Sequence, residues 1–455
     1  MSRAKSLTAL SGLILLLCIL QSSAKPPDTG VDASKVPVTF CSNIAPILQR
    51  RCQECHHDGG IGPMSLVTYD EVRPYSRDIE DMVLERLMPP FHAGGKIGRY
   101  IGDPRLTDDE IASIKAWVES GSPKGDPMMM PPPRNWPDTG WTAGKPDLIL
   151  TMPKPFEVKP TLSDGYAFFV FDYIFPEDTW TKGLEVKPGD RSAVHHANVY
   201  IVPPGIKTLP NGQIDGVFDP TSLGGKFITA WEPGSTPLIE KDGAATLVAK
   251  GSRFAILMHY IPTNKPLLDQ TSVGFYFANG LVKKQARILW GGTHTLNIPA
   301  NDPAYTVADK ETFQQDSLIT AFSCHLHLRG KSFQFRIHYP DGRVENAVEV
   351  PRWDVNWQQV YELREPMFVP KGTVAEYVAT WDNSARNRVN PDPNKAVHWG
   401  DTVTDEMMDG YVHYVVANEN LNLMVANGHP KAAARGNVAG TRPATRSGAK
   451  GAGSK

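Results

Sequence analysis

The stretch Phe333-Gln-Phe-Arg-Ile-His-Tyr339, then Pro340-Asp341-Gly342, then Arg343-Val-Glu-Asn-Ala-Val-Glu-Val350 decides the architecture of most of this chain. Two short runs rich in aromatic and β-branched residues flank an Asp-Gly pair, the pattern of two strands joined by a tight turn. Similar runs recur at Phe168-Phe-Val-Phe171, Ala197-Asn-Val-Tyr-Ile-Val202 and Phe254-Ala-Ile-Leu-Met-His-Tyr260, with Pro, Gly, Asn and Asp between them. This pattern predicts two all-β antiparallel sandwich domains, at residues 146–290 and 291–425.

Upstream the texture is helical. Ile44, Ile47 and Leu48 recur at helical spacing after Ser42-Asn43, read as an N-cap, with Pro46 tolerated in the first turn. Thr107-Asp-Asp-Glu110 is a capping box, Ile111, Ile114 and Trp117/Val118 form one stripe, and Gly121 ends the helix. These signals predict a small all-α domain over 39–124, so the fold class expected is multidomain. The proline run in Met128-Met-Met-Pro-Pro-Pro-Arg-Asn-Trp-Pro137 cannot continue a helix, which places a linker at 125–145. Arg3 and Lys5, the apolar run Leu7–Leu20 and Ser22-Ser23-Ala24 read as a signal peptide, 1–24, followed by a leader, 25–38. The apolar run is too short to span a membrane, and no span is expected after cleavage. Residues 426–455, rich in Ala, Gly, Arg and Lys, read as a disordered basic tail.

Charge excludes one class of partner. Without the signal the formal net charge moves from −2 to about −4, and the acid-free tail leaves the folded part near −10. Nucleic-acid binding asks for a basic footprint. Of the five cysteines, Cys18 leaves with the signal, Cys52 and Cys55 share a motif, and Cys41 and Cys324 remain to pair or stay free.

That motif is Cys52-Gln-Glu-Cys55-His56, the C-x-x-C-H pattern of covalent haem attachment. Two thiols at this spacing add to the two vinyl groups on one porphyrin edge, and the adjacent imidazole reaches the iron. A random chain of this composition holds such a pattern about 0.002 times. A zinc site would need two more ligands, and a redox pair a βαβ context. Met88, in Leu87-Met-Pro-Pro-Phe91, is the preferred second axial ligand; Met64, Met82, His57 and His92 are the other candidates. The segment resembles the small class I cytochrome c domains, which implies a covalent haem c.

The β region carries His195-His196, His259, His325-x-His327 and Met407. On a strand His325 and His327 would share a face, making a bidentate clamp. His195 and His196 would point oppositely, and can hold one ion together only at a strand end or a bulge. Imidazoles suit copper and zinc, and a thioether favours Cu(I). His294, His338, His398 and His413 read as structural.

Residues 146–420 resemble the copper type II, ascorbate-dependent monooxygenases, of which the peptidylglycine α-hydroxylating enzymes are the best known. The resemblance lies in Val194-His-His-Ala197, Met258-His-Tyr260, Cys324-His-Leu-His-Leu-Arg-Gly-Lys331 and Thr404-Asp-Glu-Met-Met-Asp-Gly-Tyr411, in that order. It implies two jelly-roll sandwiches carrying two copper ions. His195, His196 and His259 would hold an electron-transfer copper. His325, His327 and Met407 would hold the copper that activates O₂ against a C–H bond, with Tyr411 beside it. The family's substrate-gripping arginine and asparagine are replaced here by Ser323 and Asp409, so peptide amidation is not implied. The haem segment would substitute for or supplement ascorbate as one-electron donor. The function expected is that of an exported, periplasmic or secreted, haem- and copper-containing oxidoreductase. It would hydroxylate an unknown small organic substrate and draw electrons from a periplasmic redox partner; the alternative is a non-catalytic electron carrier or copper-handling protein.

Overall fold

The structure is a computed structural model that describes residues 37–58, 62–135, 140–161, 165–203, 205–207, 212–213, 225–232, 235, 237–260, 265–400, 402 and 404–431. The signal, all but two residues of the leader, and residues 432–455 of the basic tail lie outside them; the start of the tail, expected to be disordered, is ordered, with Ala426 and His429–Pro430 in paired strands.

Four short α-helices, Ala45–Arg51, Tyr69–Val72, Ser76–Leu84 and Asp108–Glu119, build the first layer among the described residues. One wide turn, Phe40–Ile44, runs into the helix Ala45–Arg51. The cap is therefore earlier than Ser42-Asn43 suggests: Thr39 is extended, and its N–H donates to Asn43 Oδ1 at 3.0 Å. The capping box is in place. Thr107 Oγ1 accepts the Glu110 N–H at 3.2 Å, and Glu110 Oε2 accepts the Thr107 N–H at 2.9 Å, opening the helix Asp108–Glu119. Glu110 also pairs with Arg50 and Arg51, which ties this helix to the first. Phe40, Ile44, Leu48, Ile79, Ile114 and Trp117 close a common core.

The β region forms two sandwiches, antiparallel except where Lys284–Gln285 pairs in parallel with Ala244–Val248. In the first, a sheet ordered Leu148–Thr151, Ser272–Phe277, Thr179–Lys187, Ala244–Val248 and Lys284–Gln285 faces a sheet ordered Tyr166–Val170, Arg253–Tyr260, Val194–Val202 and Lys226–Trp231. Phe169, Val186, Val199, Ile256 and Phe275 fill the space between them. In the second, a sheet of Arg287–Gly292, Asp409–Val416, Ser317–His325 and Tyr361–Val369 faces one of Tyr305–Thr312, Val374–Trp381, Gly330–His338 and Val344–Val350. The hairpin at Asp341-Gly342 turns with Gly342 at φ 87°, a left-handed value that favours glycine there. The expected boundary at 290 falls inside Arg287–Gly292, which belongs wholly to the second sandwich.

The chain does not divide cleanly at that boundary. Leu423–Ala426 returns to pair with Gly280–Val282, and Val425 packs with Trp180, Ala245 and Val282 of the first sandwich. The two sandwiches also share an apolar contact: Phe168, Tyr200, Phe227 and Ala255 of the first pack against Tyr411 and Ile288 of the second. Phe227 and Tyr411 stack at 4.2 Å. Burying each ring contributes roughly 1.5–3 kcal/mol.

The helical layer is fastened to the second sandwich rather than hung from a free linker. Phe91 and Tyr100 lie 5.4 and 5.8 Å from the Tyr361 ring inside that sandwich's core. Gly94 N–H donates to Glu349 O at 2.6 Å and Ile101 N–H to Glu362 O at 2.8 Å. The described part of the expected linker also folds back: Gln49 Nε2 donates to Pro132 O at 2.7 Å, and Arg134 pairs with Glu54 at 2.6 Å. Cys41 and Cys324 are free and buried in different cores, so they do not pair. Among the described residues no helix is long and apolar enough to cross a membrane.

A protease site placed in the exposed Met128–Met130 turn, once cut, is expected to leave both pieces associated in gel filtration. Adding Tyr361→Ala, which costs roughly 3–5 kcal/mol of core packing, should release the helical piece. Release without that substitution would show that the contact is weak.

Candidate metal and redox site

Where two strands meet out of step, the chain gains one residue. The register between Val194–Val202 and Arg253–Tyr260 pairs Val194 with Tyr260 and then His196 with His259, leaving His195 as the extra residue of a bulge. The adjacent pair needs this distortion to turn both rings toward one point. His195 Nδ1 lies 3.2 Å from His196 Nδ1 and 3.0 Å from His259 Nδ1, and the third edge is 3.4 Å. Four nitrogens placed tetrahedrally around an ion at metal–nitrogen distances near 2.0–2.1 Å would stand about 3.3 Å apart. The triad has that spacing, and it can bind a metal. Burial lowers all three imidazoles, His259 to about 3, which keeps them neutral as metal ligation requires.

His325 closes the strand Ser317–His325, but His327 lies beyond its end, so strand alternation is not what aligns the two. Their rings are 5.0 Å apart and nearly perpendicular. Each Nδ1 is held by another group: His325 by Gln358 Oε1 at 2.6 Å, His327 by the Asp405 carbonyl at 3.2 Å. Such bonds fix the ring and leave Nε2 for a ligand. Met407 is half-buried, two residues before Asp409, the register partner of His325.

Glu406 pins that loop in place. Buried completely, it accepts the His327 N–H at 3.0 Å, the Arg329 N–H at 2.6 Å and the Trp381 Nε1–H at 2.9 Å. Arg329, also buried, lies 3.8 Å away and donates to Asn383 Oδ1 at 3.0 Å. Burial pushes the carboxyl up to about 8 and lowers the guanidinium, against the pull of these donors.

The two histidine groups meet. Gln358, whose Oε1 accepts the His325 Nδ1–H, places Nε2 3.3 Å from His196 Nε2. Tyr166 stacks on His259 at 4.3 Å and lies 6.3 Å from His327. Nothing in the sequence marked Gln358 or Tyr166, because neither adjoins a ligand in the chain. Tyr411 stands apart, in the apolar contact with Phe227.

The C-x-x-C-H segment faces the same junction. A cavity of about 300 Å³ has Cys55 and Pro89–Phe91 on one side and Glu232, Gln358 and Gln359 on the other. The Gln358 N–H donates to Glu232 Oε2, and Gln359 Nε2 to Pro90 O at 2.8 Å. Burial drives the Glu232 carboxyl well above its usual range. His56 donates Nδ1–H to the Met64 carbonyl at 3.1 Å, which leaves Nε2 for an iron. A Cβ on Gly62 would stand 2.5 Å from the His56 ring, so the loop passes this imidazole closely. Burial raises Cys52 to about 12 and Cys55 to about 11. Met88 is half exposed and lines a different cavity with His92; it makes no hydrogen bond or ring contact with His56.

No family model matches the chain. Among solved structures it is similar to the infectious bursal disease virus Gx strain particle, at 9% identity and a TM-score of 0.20, over 63% of this chain and 76% of that one. It is also similar to PNGF-II, at 10% identity and a TM-score of 0.21 over 62% and 64%. A third is allantoicase, at 10% and 0.18 over 50% and 81%. Likeness at these TM-scores carries no argument about this site.

Glu406→Ala is expected to cost about 3–5 kcal/mol in chemical denaturation, because it strands Arg329 without its counter-charge. A loss below about 1 kcal/mol would show the pair to be incidental. His413, lowered to about 4 by burial, tests the pH response. Its folded value lies below the unfolded value near 6.5, so its contribution is present above about 6.5 and lost as pH falls toward 4, by up to about 1.4 kcal/mol per unit. Thermal melts of the metal-free protein should therefore decline more steeply over that range than those of His413→Leu.

Proposed function

We propose that this chain is an exported haem- and copper-containing oxidoreductase, a copper-dependent monooxygenase supplied with electrons through a c-type haem. The observation that carries the reading is the meeting of three parts at Gln358: the His195/His196/His259 triad, the His325/His327 pair, and the wall of a cavity whose far side holds Cys55. The resemblance of the ordered ligand set to that of the copper type II monooxygenases adds to it, as do the two successive β-sandwiches.

The residues of the first segment fit a haem. The His56 ring is oriented through Nδ1, as an axial imidazole must be. Reactive C-x-x-C pairs have lowered thiol values, whereas Cys52 and Cys55 are both raised, which speaks against a redox pair. Among the described residues no third ligand joins them to make a zinc set. Cys52 and Cys55 would carry the porphyrin and His56 would bind its iron; Met88, the second iron ligand expected, lines a different cavity in this structure.

The histidines fit copper. His195, His196 and His259 would hold one ion; His325, His327 and Met407 would hold the other. Bound there, copper supplies one-electron chemistry and O₂ activation, and haem supplies a store of single electrons. The chain's own work is positional. The bulge at His195 aims three rings inward, Glu406 sets the Met407 loop against His327, and Gln358 fixes His325 while touching His196. In the net reaction one oxygen atom enters a substrate C–H bond and the other leaves as water, with two electrons and two protons consumed. A single haem must therefore be reduced twice per turnover, by ascorbate or by a periplasmic partner.

Metal content of the haem-loaded protein tests this reading. About two copper ions per haem are expected, falling to about one in Met407→Ile under reducing conditions. Reduced haem should reoxidise at least about tenfold faster with both coppers bound than without. Little copper after loading would sink the monooxygenase reading; copper without substrate-stimulated O₂ uptake would favour an electron carrier or copper-handling protein.

A further inference from the structure

A cavity of about 690 Å³ lies between the two sandwiches, lined by Phe227, Leu247, Ile288, Trp290, Tyr411 and His413. Its size and largely apolar wall are those of a small-molecule site. Directly paired residues of an antiparallel sheet share a face, as do residues two apart. Trp290, Tyr411 and Ser323 therefore form one cross-strand row; Ile288, His413 and Ala321 form the next; Asp409 and His325 form the row on the other side. The sheet face behind the cavity continues to the row of His325, one two-residue step of about 7 Å beyond the row of Tyr411, although Ser323, Asp409 and His325 do not themselves line the cavity.

Two polar atoms on this face are buried without a hydrogen-bond partner among the described residues, His413 Nε2 and Ser323 Oγ, and of the two residues His413 lines the cavity. Both side chains are more than nine-tenths buried. An unsatisfied buried donor or acceptor costs about 1–3 kcal/mol, which a ligand's polar group can return. The cations that line the cavity offer little to a carboxylate. Arg287 is committed to Glu419 by bonds of 2.9 and 2.6 Å, and Lys226 is solvent-exposed. Glu240 adds an acid to the lining.

We propose that this cavity binds a neutral, largely apolar small molecule with one hydrogen-bonding group, anchored at His413 on the sheet face that continues past Tyr411 to the row of His325. Oxidation of the bound molecule rests on the monooxygenase reading; binding itself does not. Burial keeps His413 uncharged near neutral pH, so it offers a hydrogen bond and no charge. An anionic end would meet Glu240, with only Lys226 to attract it from a solvent-exposed position where water screens its charge; a cationic end would lose its hydration to a largely apolar wall, facing only Glu240, whose carboxyl burial pushes up to about 7.

The test is calorimetric titration of the full haem-loaded chain with 4-phenylbutan-1-ol, 4-phenylbutyrate and 4-phenylbutylamine. The alcohol is expected to bind at least about tenfold more tightly than either charged probe. His413→Leu should weaken alcohol binding about five- to tenfold. Ile288→Trp, which fills the cavity, should abolish it even if His413→Leu fails to fold. No measurable binding of the alcohol, equal binding of a charged probe, or unchanged affinity in folded variants would overturn the proposal. O₂ uptake separates the two readings: binding as expected without alcohol-stimulated uptake leaves the pocket standing and counts against the monooxygenase. Stimulated uptake that survives Ile288→Trp unchanged counts against the pocket alone.

Discussion

The geometry of the whole candidate site depends on one apolar contact, the face of Phe168, Tyr200, Phe227 and Ala255 laid against Tyr411 and Ile288. The triad histidines stand on strands of the first face, and His325 ends a strand of the second. Neither sandwich holds both groups. The apolar contact sets their separation, and Gln358 and Tyr166 fill what lies between. The hydrophobic effect is non-directional, so it can hold the faces together but cannot fix their register. That task falls to polar contacts at the rim, chiefly the Gln358 amide and the Glu232 carboxylate beneath it.

Buried polar groups here are arranged in nests. Glu406 gathers two backbone donors, an indole and a guanidinium, and through Arg329 it reaches Asn383. Satisfied in this way, a buried carboxylate fixes a loop more sharply than packing alone could. The same loop carries Met407. A thioether has weak directional preferences of its own, so its placement must come from neighbours such as these.

Much of this was legible in the sequence, and the reason differs by element. Strands announce themselves through alternation and turns through Asp341-Gly342, since both signals are local. The Thr107–Glu110 box is local too, and it opens the helix it was expected to open. The adjacent His195 and His196 implied a bulge because strand geometry leaves few alternatives. Gln358, Glu232, Gly62 and Trp381 were not legible: each acts on a residue distant in sequence or passed by a loop, and nothing in their own surroundings sets them apart. The His325–His327 clamp was expected from strand alternation, yet His327 is placed by Asp405 and Glu406 after the strand has ended. The fastening of Phe91 and Tyr100 to Tyr361 was hidden for a related reason. Their aromatic pattern reads as part of a helical domain, while their partner lies about 260 residues away.

The late return of Leu423–Ala426 to the first sandwich sets a condition on how the molecule comes into being. Trp180 N–H donates to Gly428 O at 2.7 Å, and Gly428 N–H to Ala278 O at 2.9 Å, so the first sandwich is sealed by nearly the last described residues. A chain emerging from its N-terminus can assemble helices early, but this edge stays open until the segment Leu423–Gly428, about 150 residues further on, has been made. Every intermediate before that moment shows an unpaired strand edge at Gly280–Val282 and a gap beside Trp180. The two sandwiches thus mature together, by a closure that waits for the second to be made, and a chain lacking Leu423–Gly428 would leave its first β domain unfinished.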